Sequence, residues 1–273
     1  MKNTDPATKA NLLFCTLDDL PLEGYEASFK MMRYSLLNVR FLIGVKTKNL
    51  SRHHFENMCK KLNMPDTCFL KCMEKFNDSN LVLFGFEEDR NHCTYKIYLE
   101  FNDRNRSIVR QTKSKEPLIQ YLGFKWDAFD NLKFLITTYK WFPFISASEM
   151  YDRIDQIYMK TDPFQFILIK NLIQSVVNRI DDSFDPFIYL EATDMNNKRK
   201  SFDLNIYKAG LTMGEVETYI KKIMRLFDID ARKWNMFLWK IRHKIFGHIS
   251  SGFSFTGDEF ASFYYDVLTD QIT

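Results

Sequence analysis

Gly24–Gly44 reads GYEASFKMMRYSLLNVRFLIG. Leu36, Leu37, Val39, Phe41, Leu42 and Ile43 give its second half the apolar, β-favouring run of one buried strand over residues 36–45. Arg40 is the one charge inside that run. A charge so placed needs a partner, unless the strand is an edge from which the arginine snorkels to water. An acid, Glu26, and another base, Lys30, precede it.

Downstream, helices and hairpins alternate. Ser51 caps a helix to about Leu62, and Pro65 opens a second to about Phe76. LVLFGFEED (81–89) and TYKIYLEF (94–101) then form a hairpin around Arg90 and Asn91. NDRNRSIVRQTKSKE (102–116) reads as a solvated loop. LIQYLGFKW (118–126) and LKFLITTYKWF (132–142) form a second strand pair. Ser146 with Glu149 makes a capping box for a helix to about Lys160, and Asp162-Pro163 starts another to about Ile180. PFIYLEATD (186–194) and SFDLNIYKA (201–209) turn at Asn196 and Asn197. Thr212 with Glu215 repeats the box before helices at about 213–227 and 230–243. HISSGFSF and EFASFYYDV close the chain, while residues 1–23 are weakly patterned.

Two helices followed by a hairpin thus recur without sequence repetition, in an α+β chain read as a single domain, 1–273. Sequential antiparallel hairpins lose their edges by closing into a barrel with helices outside. A two-sheet α+β packing is the competing arrangement.

Composition bounds the function. The 38 basic and 35 acidic side chains leave a net charge of +3 with no long basic run, which makes no case for nucleic acid. A local anionic ligand fits that balance. Aromatic residues make up 16% of the chain, with 26 Phe and 13 Tyr, which suits a cavity with π-faced walls. No stretch is long and apolar enough for a membrane span, and MKNTDPATKANLL lacks the apolar core of a signal peptide. Cys15, Cys59, Cys68, Cys72 and Cys93 form no framework or zinc spacing and read as reduced thiols of a cytoplasmic protein.

Strand alternation supplies candidate ligands. Lys96, Tyr98 and Glu100 share one face; so do Thr137, Tyr139 and Trp141, and so do Asp203, Asn205 and Tyr207. Facing out, they are solvated. Facing in, they ring a cavity with cations, hydroxyls and phenols, donors that a diphosphate needs because its charge is costly to desolvate. Aromatic faces also stabilise a carbocation and exclude the water that would quench it.

Glu26, Ala27, Ser28 and Lys30, followed by Arg40, Phe41 and Leu42, resemble in order and spacing the cyanobactin peptide prenyltransferases, enzymes with an ααββ (PT) barrel. NLVLFGF and YKIYLEF, LGFKWDAFDNLKFLITTY, IYLEATDMNN and the terminal FASFYYD are similar to the family's later hairpins, over most of residues 24–266. The resemblance implies transfer of an isoprenyl group, dimethylallyl in size, from its diphosphate to a peptide side chain or terminus. Glu26 is then the general base. Arg40 and Lys96 hold the diphosphate with Tyr139, Asn205 and Tyr207, and magnesium rides on the diphosphate oxygens rather than in a protein carboxylate cage. Tyr98, Tyr189 and Tyr264 line the pocket and shield the cation, with Tyr189 closing its far end. The chain departs from the family where Tyr98 and Glu100 stand in place of a further base, and in a shortened N-terminal helical segment.

Other chemistries leave less. Asp181, Asp182 and Asp185 spell a single DDxxD, cut by Pro186, where head-to-tail isoprenyl synthases need two, so it reads as a helix-ending loop. No nucleophile elbow, phosphate loop or dinucleotide fingerprint is present. His248, in FGHISSG, is either a base or a satisfied rim histidine. The alternatives to a peptide prenyltransferase are one acting on small aromatic molecules and a non-catalytic, aromatic-lined barrel that binds a hydrophobic ligand.

Overall fold

The structure is a computed structural model; it describes residues 5–89, 92–159, 163–180, 187–195 and 199–265, with side chains of the third segment from 166 onward. Its strands are β1 (Gly24–Met32), β2 (Ser35–Leu37), β3 (Arg40–Lys46), β4 (Leu81–Asp89), β5 (His92–Glu100), β6 (Leu118–Asp127), β7 (Phe134–Trp141), β8 (Ile188–Asp194), β9 (Lys200–Asn205), β10 (Phe246–Phe253) and β11 (Glu259–Tyr265). β1 pairs antiparallel with both β2 and β3, each strand from β3 onward pairs antiparallel with the next, and β11 returns to β1, Ser28 opposite Tyr264, so the sheet closes on itself. The two-sheet alternative is thereby excluded.

The opening stretch is a hairpin rather than one strand. β2 and β3 are two halves of a single partner to β1. Lys30 faces Leu37 and Ala27 faces Phe41, so one extra residue near Asn38–Val39 makes a bulge. The turn had no Gly, Pro or Asn to announce it; Tyr34 takes the left-handed conformation instead, at φ 60°. The closed barrel therefore has ten staves in five hairpins.

Helices precede every hairpin: α1 (Pro6–Leu17); α2 (Arg52–Lys61) and α3 (Asp66–Lys75); α4 (Asn102–Thr112); α5 (Ala147–Tyr158) and α6 (Pro163–Val177); α7 (Glu217–Leu226) and α8 (Ala231–Ile241). Two of them correct the sequence reading. The weakly patterned N-terminus holds α1, whose first turn is capped by the Asp5 carboxylate. The expected loop at 102–116 holds α4, polar on most sides, anchored by Val109 and by Asn105 Nδ2, which donates to Ile119 O at 2.8 Å. The Ser146–Glu149 capping box forms as expected. Thr212 and Glu215 exchange the same bonds, but ahead of α7 rather than at its first turn.

The core lies between barrel and helices, not inside the barrel. Outward residues Phe41, Ile43, Phe84, Phe86, Ile97 and Trp126 pack under α1 to α3, while Phe29, Tyr189, Phe202, Ile249 and Phe263 pack under α5 to α8. Phe29, Phe84, Phe86, Phe124, Phe202 and Phe263 are all less than 2% exposed, each burial contributing about 1.5–3 kcal/mol. With apolar residues drawn outward, strand alternation turns the polar set into the lumen.

Candidate active site

The lumen is polarised along its axis. At one end β1, β3, β5 and β6 direct Lys30, Arg40, Lys96 and Lys125 into a cavity of about 560 Å³, joined by Arg199 from just before β9. Glu87 lies among them. Its Oε2 accepts from Arg40 Nε at 2.7 Å and from Lys96 Nζ at 2.5 Å. Arg40 Nη1 also reaches Ser262 Oγ at 3.4 Å. Lys125, on the next strand, stands directly opposite Lys96.

Lys30, Arg40, Lys96 and Lys125 are desolvated and crowd one another. Burial pulls Lys96 down to about 7; Glu87 opposes this, while Arg40 and Lys125 add to it. Burial, then repulsion by Arg199, holds Lys125 well below its usual range. Lys30 is lowered by burial against the pull of Glu87. Burial would raise Glu87, but Lys96, Arg40 and Lys30 outweigh it and keep it well below the usual carboxylate range.

Tyrosines occupy the middle of the lumen. The ring centroids of Tyr98 and Tyr139 are 5.9 Å apart, and those of Tyr139 and Tyr121 are 6.2 Å apart, both edge to face. Lys125 Nζ lies 3.3 Å from Tyr139 OH and 5.8 Å from the Tyr98 ring centre, while the Arg40 guanidinium lies 5.8 Å from that of Tyr264. Gly123 makes the space: a Cβ there would fall 2.8 Å from the Tyr98 ring.

The other end is acidic inside. Glu26 Oε1 accepts from Tyr207 OH at 3.2 Å and stands 3.7 Å from His248 Nε2. His248 Nδ1 is 3.0 Å from Asp203 Oδ1, and Asn205 Nδ2 is 3.1 Å from His248 Nε2. Burial raises the Glu26 pKa, with His248 pulling it back down. Burial would lower His248, but Glu26 and Asp203 prevail and hold it up at about 9. Glu100 accepts from Tyr121 OH at 2.7 Å and from Asn80 Nδ2 at 3.0 Å. A cavity of about 1040 Å³ opens here, lined by Glu100, Tyr121, Asn205 and His248, with Lys48, Arg52, Arg106 and Arg110 at its rim.

The expected residues are therefore brought together in two groups. Arg40, Lys96, Tyr98, Tyr139 and Tyr264 line the basic cavity. Glu26, Asn205 and Tyr207 meet at the acidic end, so Asn205 and Tyr207 are not beside the bases as expected. Tyr207 lies in a 3₁₀ turn, Tyr207–Ala209, rather than in the strand; its ring covers Gly247, where a Cβ would come within 1.9 Å. Tyr189 is the clear correction. It shares a face with Glu191 as expected, but that face is the outer one: Tyr189 OH donates to Glu191 Oε1 at 3.1 Å, beneath α5, where Arg153 clamps the same carboxylate. Glu87, Lys125 and Arg199 were not singled out, and Asp203 and His248 were named separately but not as a pair, because these roles depend on strand register across hairpins. The DDxxD residues lie outside the described residues.

No group of three or more His, Cys, Asp or Glu side chains is placed to hold magnesium among the described residues, and of the two carboxylates lining the basic cavity Glu87 is taken by Arg40 and Lys96 while Asp127 lies 3.4 Å from His92.

Solved structures share this barrel. A 5-dimethylallyltryptophan synthase from Streptomyces coelicolor gives a TM-score of 0.57 at 11% identity, over 89% of this chain and 80% of that one. PriB in binary complex with product diphosphate gives 0.59 at 10% identity, over 89% and 79%. PriB in ternary complex with L-tryptophan and dimethylallyl thiolodiphosphate gives 0.58 at 10%, over 89% and 79%. No family model matches the sequence, and no curated protein matches it significantly. The likeness establishes the α+β prenyltransferase barrel as the fold.

Proposed function

We propose that this protein is a prenyltransferase that moves a dimethylallyl group from its diphosphate to a peptide. The observation that carries the reading is the order of groups along one lumen: five bases, then tyrosine rings, then a buried carboxylate. The diphosphate sits on Arg40, Lys96, Lys125, Lys30 and Arg199, charge-assisted donors that stabilise the charge it gains as the C–O bond breaks. The bonding pair leaves with the diphosphate. The allylic cation, shielded from water by Tyr98, Tyr139 and Tyr264, is attacked by the acceptor, whose proton passes to Glu26. No step requires a protein-held metal, and any magnesium enters with the donor.

A peptide acceptor is supported by the volume of the acidic-end cavity, at about 1040 Å³ as large as the largest ordinary small-molecule pockets. A small aromatic acceptor is the second reading, favoured by the tryptophan in the PriB complex. Incubation with dimethylallyl diphosphate and either tryptophan or peptides containing Tyr, Trp, Ser or Arg, read by mass, separates them. A gain of one dimethylallyl on a peptide supports the first, a gain on tryptophan alone the second. No gain on any acceptor leaves the non-catalytic barrel.

A further inference from the structure

Glu87 is a carboxylate bonded to the bases of the cavity themselves, where an anion site does not call for one, since it repels the ligand the bases attract. Its position is nonetheless built in. β4 lies between β3 and β5, which puts Glu87 directly opposite Arg40 and within reach of Lys96. The charged groups facing it are Lys30 from β1, Arg40 from β3 and Lys96 from β5, with Lys125 from β6 beyond. It engages Arg40 Nε and one Lys96 proton, leaving the other two Lys96 protons and the Arg40 Nη groups unengaged by it, with Nη1 3.4 Å from Ser262 Oγ. Glu87 also opposes the burial and mutual repulsion that weaken Lys96's hold on its proton.

We propose that Glu87 is a positioning residue that acts as a built-in counter-anion: it keeps Arg40 and Lys96 charged and oriented while the cavity is empty, and it weakens the cavity's hold on the diphosphate released after transfer. The second half rests on the prenyl-transfer reading. Affinity for the product is traded for turnover, since a site of five bases with no counter-charge would retain the anion it has just set free.

The test is calorimetric titration of inorganic pyrophosphate into the full chain at pH 6. Glu87→Gln should bind pyrophosphate about tenfold more tightly than the wild type, with kcat and the donor KM both lower. A carboxylate that only holds the structure in shape gives the opposite sign, weaker binding, and that result overturns the proposal, as does unchanged binding. Should Glu87→Gln fail to fold, the double variant Glu87→Gln/Lys96→Gln removes one charge of each sign. It should bind pyrophosphate within about threefold of the wild type, and loss of binding there overturns the proposal. A wild-type protein that does not bind pyrophosphate overturns this proposal and the prenyl-transfer reading together, whereas wild-type binding without tightening overturns the counter-anion alone.

Discussion

At Glu26 the same burial that makes a carboxylate a better base also threatens to leave it protonated. His248 sits 3.7 Å away and Tyr207 donates to it, and both offset part of the rise that burial imposes on its pKa. Glu26→Gln should lower turnover by about 10²–10⁴ with pyrophosphate affinity nearly intact; an unchanged rate removes Glu26 from the reaction. Because a base must be ionised, kcat/KM falls as pH drops through the Glu26 pKa. His248→Gln deletes the charge that depresses that pKa, so the acid limb of the profile should move up by about one pH unit. A limb that stays in place, or moves down, would show that His248 does not face Glu26 in solution. Tyr189→Ala belongs to a different account: it empties a site between β8 and α5 and should cost about 3–5 kcal/mol in stability without altering the choice between dimethylallyl and geranyl diphosphate, read by denaturation and by competition.

Strand alternation fixes which residues travel together but not which way they face, and this marks the limit of what the sequence disclosed. Tyr189 and Glu191 were rightly paired, then assigned to the wrong side. Phe202 and Leu204 on the neighbouring strand settle the direction by burying themselves under the helices. Four of the five hairpins were legible because apolar runs met at polar turns; the first was not, because Arg33 and Tyr34 make the turn and the bulge at Asn38–Val39 breaks the alternation that follows. α4 escaped notice because a helix held by Val109 and Asn105 needs hardly any apolar stripe. Glu26, Arg40 and Lys96 came from a resemblance, whereas Lys125 needed the pairing of β5 with β6, a long-range fact. That pairing also makes Gly123 a test of the tyrosine layer. Its backbone tolerates a side chain, but a methyl group there forces the Tyr98 ring aside. Gly123→Ala should leave the fold intact and raise the share of donor lost to water, measured as dimethylallyl alcohol per transferred group; an unchanged ratio would mean the rings do not guard the cation.

Across the whole molecule, a lumen full of bases imposes a pH dependence on folding. In the unfolded chain Lys96 keeps its proton to about pH 10.4, whereas in the barrel it loses it near 7. Between those values the unfolded chain binds more protons, so stability rises with pH. Lys30 and Lys125 are shifted in the same direction. His248, held at about 9, works against them, losing its stabilisation as pH climbs from about 6.5 to that value. With three lysines against one histidine, Tm should rise by roughly 5 °C from pH 6.5 to 9.5, and saturating pyrophosphate should flatten the slope by restoring the lysine protons. A Tm that falls over this range would mean that the bases are hydrated. The two cavities at opposite ends of the barrel have a further consequence, for the order of events in a catalytic cycle. If donor and acceptor enter by separate doors, neither has to wait for the other, and the kinetics are random rather than ordered. Pyrophosphate should then compete with the donor alone and inhibit noncompetitively against the peptide, whereas a single shared entrance would make one substrate block the other at high concentration.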